Sequence, residues 1–105
     1  MPNAPFRGRP DFNDQAIRDL DHIEDYISRD NPQAARRLLQ RLRDACFTLA
    51  EQPLMGRARS ELGSDIRSFV VPKTRYVIVY RPVEDGVQII HVRQGSQNIN
   101  RLFSQ

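Results

Sequence analysis

Tryptophan is absent from this chain, cysteine occurs once, and lysine occurs once among 16 basic side chains. A lone Cys46 excludes an internal disulfide and a cysteine-based metal site. It falls in the apolar stripe of a helical segment, where it reads as a buried structural thiol. Only two histidines are present, His22 and His91. They lie on separate segments with no matching carboxylate cluster, so neither a metal nor a cofactor is expected. No apolar run approaches the ~18 residues of a membrane span, and Met1 to Pro10 lacks the apolar stretch of an export signal. A soluble, cytoplasmic protein that makes no membrane contact is the expectation. No repeat or low-complexity tract breaks the 105 residues, which are too few to divide into two cores, so residues 1–105 read as one domain.

What the chain has in excess is arginine. The net charge is only +3, yet every basic residue except Lys73 is arginine, whose planar fork binds carboxylate or phosphate with two hydrogen bonds. The charges are segregated. Residues 11–52 hold nine acids and six bases, whereas residues 53–105 hold eight bases and four acids. Such polarity suits an anionic partner, either nucleic acid or an acidic peptide.

Residues 1–12, with Pro2, Pro5, Gly8 and Pro10, read as an irregular edge strand or arm. A helix should start at Asn13 or Asp14, whose side chains can cap free N–H groups. Its apolar positions are Ile17, Leu20, Ile23 and Ile27, with Tyr26 alongside. Asn31-Pro32 stops that helix and starts a second, with Asn31 as cap and proline at the first helical position. The second stripe runs Ala35, Leu38, Leu39, Leu42, Cys46 and Leu49, and small Ala34 and Ala35 allow close approach as an αα-hairpin. Pro53 ends it, and residues 53–65 have the composition of a loop.

Three strands follow: 66–71, 75–81 and 87–93. A three-residue loop at Glu84-Asp85-Gly86 would place Tyr80 opposite Ile90, Ile78 opposite Val92, Val79 opposite His91, Val77 opposite Arg93 and Arg81 opposite Ile89. One face is then apolar and packs on the helices. The other mixes Val77, Val79 and Ile89 with Arg67, Arg75, Arg81, His91 and Arg93. The fold class is α+β: an N-terminal αα-hairpin on one face of a small antiparallel sheet, in the order β-α-α-β-β-β, with a short closing helix suggested by Ile99, Leu102 and Phe103. The mixed basic face is expected to be open.

The run Ala16-x-x-Asp19-Leu20-x-x-Ile23-x-x-Tyr26-Ile27 resembles the first helix of ParE-type toxins in the ParE/RelE superfamily. Asn31-Pro32-x-Ala34-Ala35, then Leu49-Ala50-x-x-Pro53-x-x-Gly56-Arg57, resembles the second helix and the loop after it. Ile66-Arg67-Ser68, Tyr76 to Arg81, Asp85-Gly86-Val87-x-Ile89 and Val92 complete a resemblance that covers about residues 13 to 99. It implies the RelE/ParE-like fold and the toxin half of a type II toxin–antitoxin pair, a plasmid-stability device. ParE-type members are described as non-enzymatic inhibitors of DNA gyrase, and RelE-type members as ribosome-dependent mRNA endoribonucleases. Both are neutralised by a cognate antitoxin, and DNA is then met only indirectly, through the antitoxin complex. Family members commonly follow the last strand with His-Gly-Arg; here the place reads Gln94-Gly95-Ser96.

The expected antitoxin-binding residues are Arg67, Arg75, Val77, Val79, Arg81, Ile89, His91 and Arg93. RNA cleavage through a 2′-hydroxyl needs a base, an acid and positive charge at phosphorus. Its candidates are His91, Arg81 and Arg93, with Arg67, Lys73 and Arg75 as further charge and Tyr76 or Tyr80 as helpers. Both tyrosines fall on the helix-facing side, and the segment after the last strand offers no Tyr, His or Lys. The leading expectation, with the target supplied by the resemblance alone, is a gyrase inhibitor with no catalytic residues; the endoribonuclease is second and a non-toxic binding module third. Asp19, Asp21, Glu24 and Asp25 read as a solvated helix face, as does His22. Arg57 and Arg59 read as partners of an acidic neighbour or of the antitoxin.

Overall fold

The computed structural model describes residues 8–95. A short strand β1 (Arg9–Phe12) leads into helix α1 (Asp14–Ser28) and helix α2 (Pro32–Glu51). Four strands follow: β2 (Arg57–Ala58), β3 (Arg67–Val70), β4 (Tyr76–Val83) and β5 (Gly86–Gln94). They form one five-stranded sheet in the order β1-β5-β4-β3-β2. All neighbours are antiparallel except β1, which runs parallel to β5. The sheet is thus mixed rather than purely antiparallel, because a strand that precedes both helices joins the last one at its edge. The two-residue β2 lies within the stretch expected to be loop. The suggested closing helix lies outside the described residues.

Both helix starts follow from their caps. The Asn13 side chain accepts the Ala16 N–H at 2.9 Å, and that of Asn31 accepts the Ala34 N–H at 3.1 Å, with Pro32 opening α2. The helices pack on one sheet face. Leu39, Leu42, Cys46 and Leu49 of α2 and Ala16 and Leu20 of α1 meet Tyr76, Ile78, Tyr80, Val87, Ile89 and Val92 of the sheet. Cys46 is fully buried, and desolvation pushes its thiol up to about 12, so it is an inert core group. The stripe on α1 is rotated from its expected position. Ala16, Asp19 and Leu20 are buried, while Ile17 is 47% and Tyr26 66% exposed.

The β4–β5 pairing holds one correction that decides where the site lies. Ile78 faces Val92, Val79 faces His91 and Val77 faces Arg93, as expected. Beyond Val79 the register shifts: Tyr80 faces Ile89, Arg81 faces Gln88 and Val83 faces Gly86. Ile90 is the extra residue of a β-bulge, and the turn is the two-residue Glu84-Asp85 rather than a three-residue loop. Strict alternation would have put Val87 and Ile89 on the same face as His91 and Arg93. The bulge instead carries Val87, Ile89 and Val92 all to the helix side, where each is buried. Burying these aliphatic side chains, at about 1.5–3 kcal/mol each, favours the bulge over a regular ladder that exposes two of them.

Candidate functional site

The second face of the sheet is not open at its centre. Val77 and Val79 are buried beneath Leu62 and Ile66, from the connection between β2 and β3, in a small core of their own. That connection is pinned locally. Arg59 pairs with Glu61 at 2.7 Å and donates to the Ser68 hydroxyl at 3.1 Å, and its backbone N–H reaches the Ile66 carbonyl at 2.8 Å. Ile89 lies on the opposite, helix-facing side. Of the three aliphatic residues expected to greet a partner, none is exposed. Sequence reasoning could not see this cover, because residues 59–66 show no period and Leu62 and Ile66 look like isolated apolar loop residues.

The basic residues of the expected face separate into engaged and unengaged sets. Arg67 donates to the carbonyls of Gly56, at 2.7 Å, and Leu54, at 3.3 Å, holding the segment that follows α2. Gly56 sits there against the Tyr80 ring with no room for a Cβ, and its N–H donates to the Tyr80 hydroxyl at 2.8 Å. The same hydroxyl donates to the Pro53 carbonyl at 2.7 Å, and burial raises its pKa. Arg81 is exposed and donates to the Gln88 side chain at 2.9 Å. Arg75 and Lys73 are exposed on the β3–β4 turn, where Lys73 adopts φ 65°.

His91 and Arg93 are drawn to α1. Asp19, 6% exposed, accepts the edge N–H of Val92 at 3.0 Å and a hydrogen bond from Gln15 at 2.8 Å. His91 Nδ1 and Arg93 Nη2 stand 3.6 Å from its two oxygens. Burial by itself would raise the Asp19 pKa. His91, the Val92 N–H, Gln15 and the charge of Arg93 together outweigh that and hold it below the ordinary value. Asp19 was expected to be solvated; it is the link between α1 and the free edge of β5. The signal was present, since Asp19 stands three residues after Ala16 and one before Leu20, on the buried stripe.

For RNA chemistry the expected helpers are out of reach: Tyr76 and Tyr80 are buried in the main core. His22 is exposed on α1. Among the described residues no group of three His, Cys, Asp or Glu could hold a metal ion, and no helix is long and apolar enough to cross a membrane.

Two clefts lie where α1 meets the end of the sheet, and they share Tyr26, Tyr76 and Gln94. One, of about 590 Å³, is bounded by Arg18, Asp19, His22 and Arg93. The other, of about 500 Å³, is bounded by Arg37 and Arg41 of α2 and by Lys73 and Arg75 of the β3–β4 turn. Among the described residues outside these clefts, the most exposed large apolar side chains are Leu54, Val70 and Phe47, with Ile17, Val83 and Met55 less so.

The fold is one already seen. A solved chain titled a chromosomal ParDE TA system from P. aeruginosa superposes with a TM-score of 0.70 at 19% identity, covering 85% of this chain and 97% of its own. Toxin RelE2 of Caulobacter vibrioides is 36% identical over 83 residues, which is 79% of this chain and 90% of that toxin. The family model described as the ParE toxin of the type II toxin-antitoxin system parDE matches residues 11–99, a span that takes in both helices, the sheet and Asp19 with the strand edge it holds. This chain is a member of the ParE toxin family, the toxin component of a type II toxin–antitoxin system.

Proposed function

We propose that this toxin acts without catalysis, by inhibiting DNA gyrase in the cytoplasm, and that a cognate antitoxin restrains it. The observation that carries this reading is the closed sheet face. A nuclease of the RelE kind needs an accessible acid and base beside positive charge. Here Tyr76 and Tyr80 are in the core, Val77 and Val79 are covered by Leu62 and Ile66, and His91 is directed toward Asp19. The departure from His-Gly-Arg to Gln94-Gly95-Ser96 takes further cations from that end. Purified toxin incubated with gyrase and supercoiled plasmid should accumulate linear DNA on denaturation. Discrete mRNA cuts on induction, lost in His91→Ala, with gyrase unaffected, would replace this reading by the endoribonuclease.

The antitoxin surface is revised accordingly. Of the eight residues first considered, Val77, Val79 and Ile89 are buried, Arg67 is spent on the chain's own carbonyls, and His91 and Arg93 attend Asp19. Arg75 and Arg81 remain exposed, Arg75 on the β3–β4 turn and Arg81 on the end of β4 beside the half-exposed Val83. An acidic antitoxin segment lying along β4 would meet Arg81 with a carboxylate and cover Val83.

A further inference from the structure

We propose that the cleft between α2 and the β3–β4 turn is a binding site for a single nucleic-acid strand, with phosphates held by Arg37, Arg41, Lys73 and Arg75 and one base stacked on Tyr26. The inference stands whichever target the toxin inhibits, and it is a direct contact, additional to any DNA reached through the antitoxin.

Four observations support it. First, every charged side chain lining this cleft is a cation. Second, among the described residues none of the four has an ion pair or side-chain hydrogen bond, whereas Arg59, Arg67, Arg81 and Arg93 are all engaged within the chain. Four like charges gathered from two elements repel one another unless an external anion sits among them. Third, Arg37 and Arg41 are one helical turn apart on α2, so their side chains are neighbours. Lys73 and Arg75 face them from the turn, which gives two cationic walls.

The fourth observation chooses between nucleic acid and an acidic peptide. An amphipathic peptide needs exposed aliphatic surface to cover. In this cleft Ile27 and Leu38 are already half-buried and Tyr76 is buried; the one large apolar group offered to solvent is Tyr26, 66% exposed. The other large exposed apolar side chains among the described residues, Leu54 and Val70 among them, lie outside the cleft lining. Cationic walls with one free aromatic face, and no free aliphatic floor, match the way single strands are held: charge along the backbone and stacking for a base.

The test is fluorescence anisotropy of the full-length toxin with labelled oligothymidylate and oligouridylate of about 12 nucleotides, the two arms distinguishing DNA from RNA. Neutralising four phosphates should weaken binding about 50-fold between about 50 and about 200 mM salt. Arg37→Glu with Arg41→Glu should abolish that salt dependence and most of the binding. Tyr26→Ala should cost about tenfold in affinity while leaving the salt slope unchanged. Arg43→Glu, exposed on α2 and outside the cleft lining, should bind like wild type. All of these side chains are exposed, and circular dichroism would verify that each variant folds. Binding to neither strand at low salt overturns the proposal. So does equal binding by the Arg37/Arg41 double variant, or polyglutamate binding as tightly as either strand with Tyr26→Ala silent, which would make the cleft an acidic-peptide site.

Discussion

Asp19 joins two elements that no backbone ladder connects. β1 ends at Phe12, opposite Ile89, and among the described residues no strand pairs with the outer edge of β5 beyond that point. The Asp19 carboxylate substitutes by accepting the Val92 N–H. Asp19→Asn keeps the shape but removes the charge that faces Arg93 and His91, and should cost about 1–3 kcal/mol in urea denaturation, the range for a charged hydrogen-bonded group left imperfectly matched. Because the folded-state pKa of Asp19 is below its ordinary value of 3.8, its contribution is present above that pH and lost as pH falls through the folded value. Wild-type stability should therefore drop on acidification below pH 3.8, and the Asn variant should show a shallower drop. Equal slopes would mean that the carboxylate contributes nothing as an anion. Tyr80→Phe acts at the same scale. It strands the Gly56 N–H and the Pro53 carbonyl in a buried place and should destabilise by about 1–3 kcal/mol, read as a lower urea midpoint at unchanged m-value.

At the scale of elements, the β4–β5 hairpin carries the most consequence. Gly86 closes it at φ 146°, a conformation side chains rarely adopt, and the backbone of Arg9 in β1 lies against its Cα. Gly86→Ala should cost about 1–3 kcal/mol in backbone strain alone and push β1 off the sheet edge. Amide hydrogen exchange would report this as lost protection in residues 9–12, with α2 unaffected; protection unchanged in β1 would contradict it. The cover over the second face is the other element to test. Ile66→Ala should lower stability by about 2 kcal/mol, at the low end of aliphatic truncations because Ile66 is only half-buried. If stability is unchanged, Leu62 and Ile66 are not the lid that keeps Val77 and Val79 dry.

For the whole molecule, the question is how charge is distributed between internal and external use. Arg59, Arg67 and Arg93 are held by Glu61, by backbone carbonyls and by Asp19, whereas Arg81, bonded to the neutral Gln88 at one end, and the four-cation cleft at the other still offer their charge to partners. Calorimetric titration with antitoxin should show Arg81→Ala weakening binding by about 2 kcal/mol, the low end for a charge partner that is desolvated on association. Wild-type affinity in that variant would move the antitoxin elsewhere, and the exposed Leu54 and Val70 would be the next surfaces to substitute.

Much of this protein was legible in the residues. Asn13 and Asn31 announce their helices, Pro32 and Pro53 bound α2, and the leucines of α2 declare its buried stripe, because caps, prolines and helical periodicity act over a few neighbouring residues. The α+β layering and the pairing of Ile78 with Val92 follow from the same local patterns. What only the tertiary structure decided was the fate of the sheet's second face. Whether Ile90 bulges depends on how Val87, Ile89 and Val92 together fit against the helices, and whether Val77 meets solvent depends on Leu62 and Ile66, distant in sequence. Alternation along a strand assigns side chains to one of two faces; it carries no information on what covers them. Likewise the pair Arg37 and Arg41 stands far in sequence from the pair Lys73 and Arg75, and only the packing of α2 beside the β3–β4 turn brings their charges to one cleft.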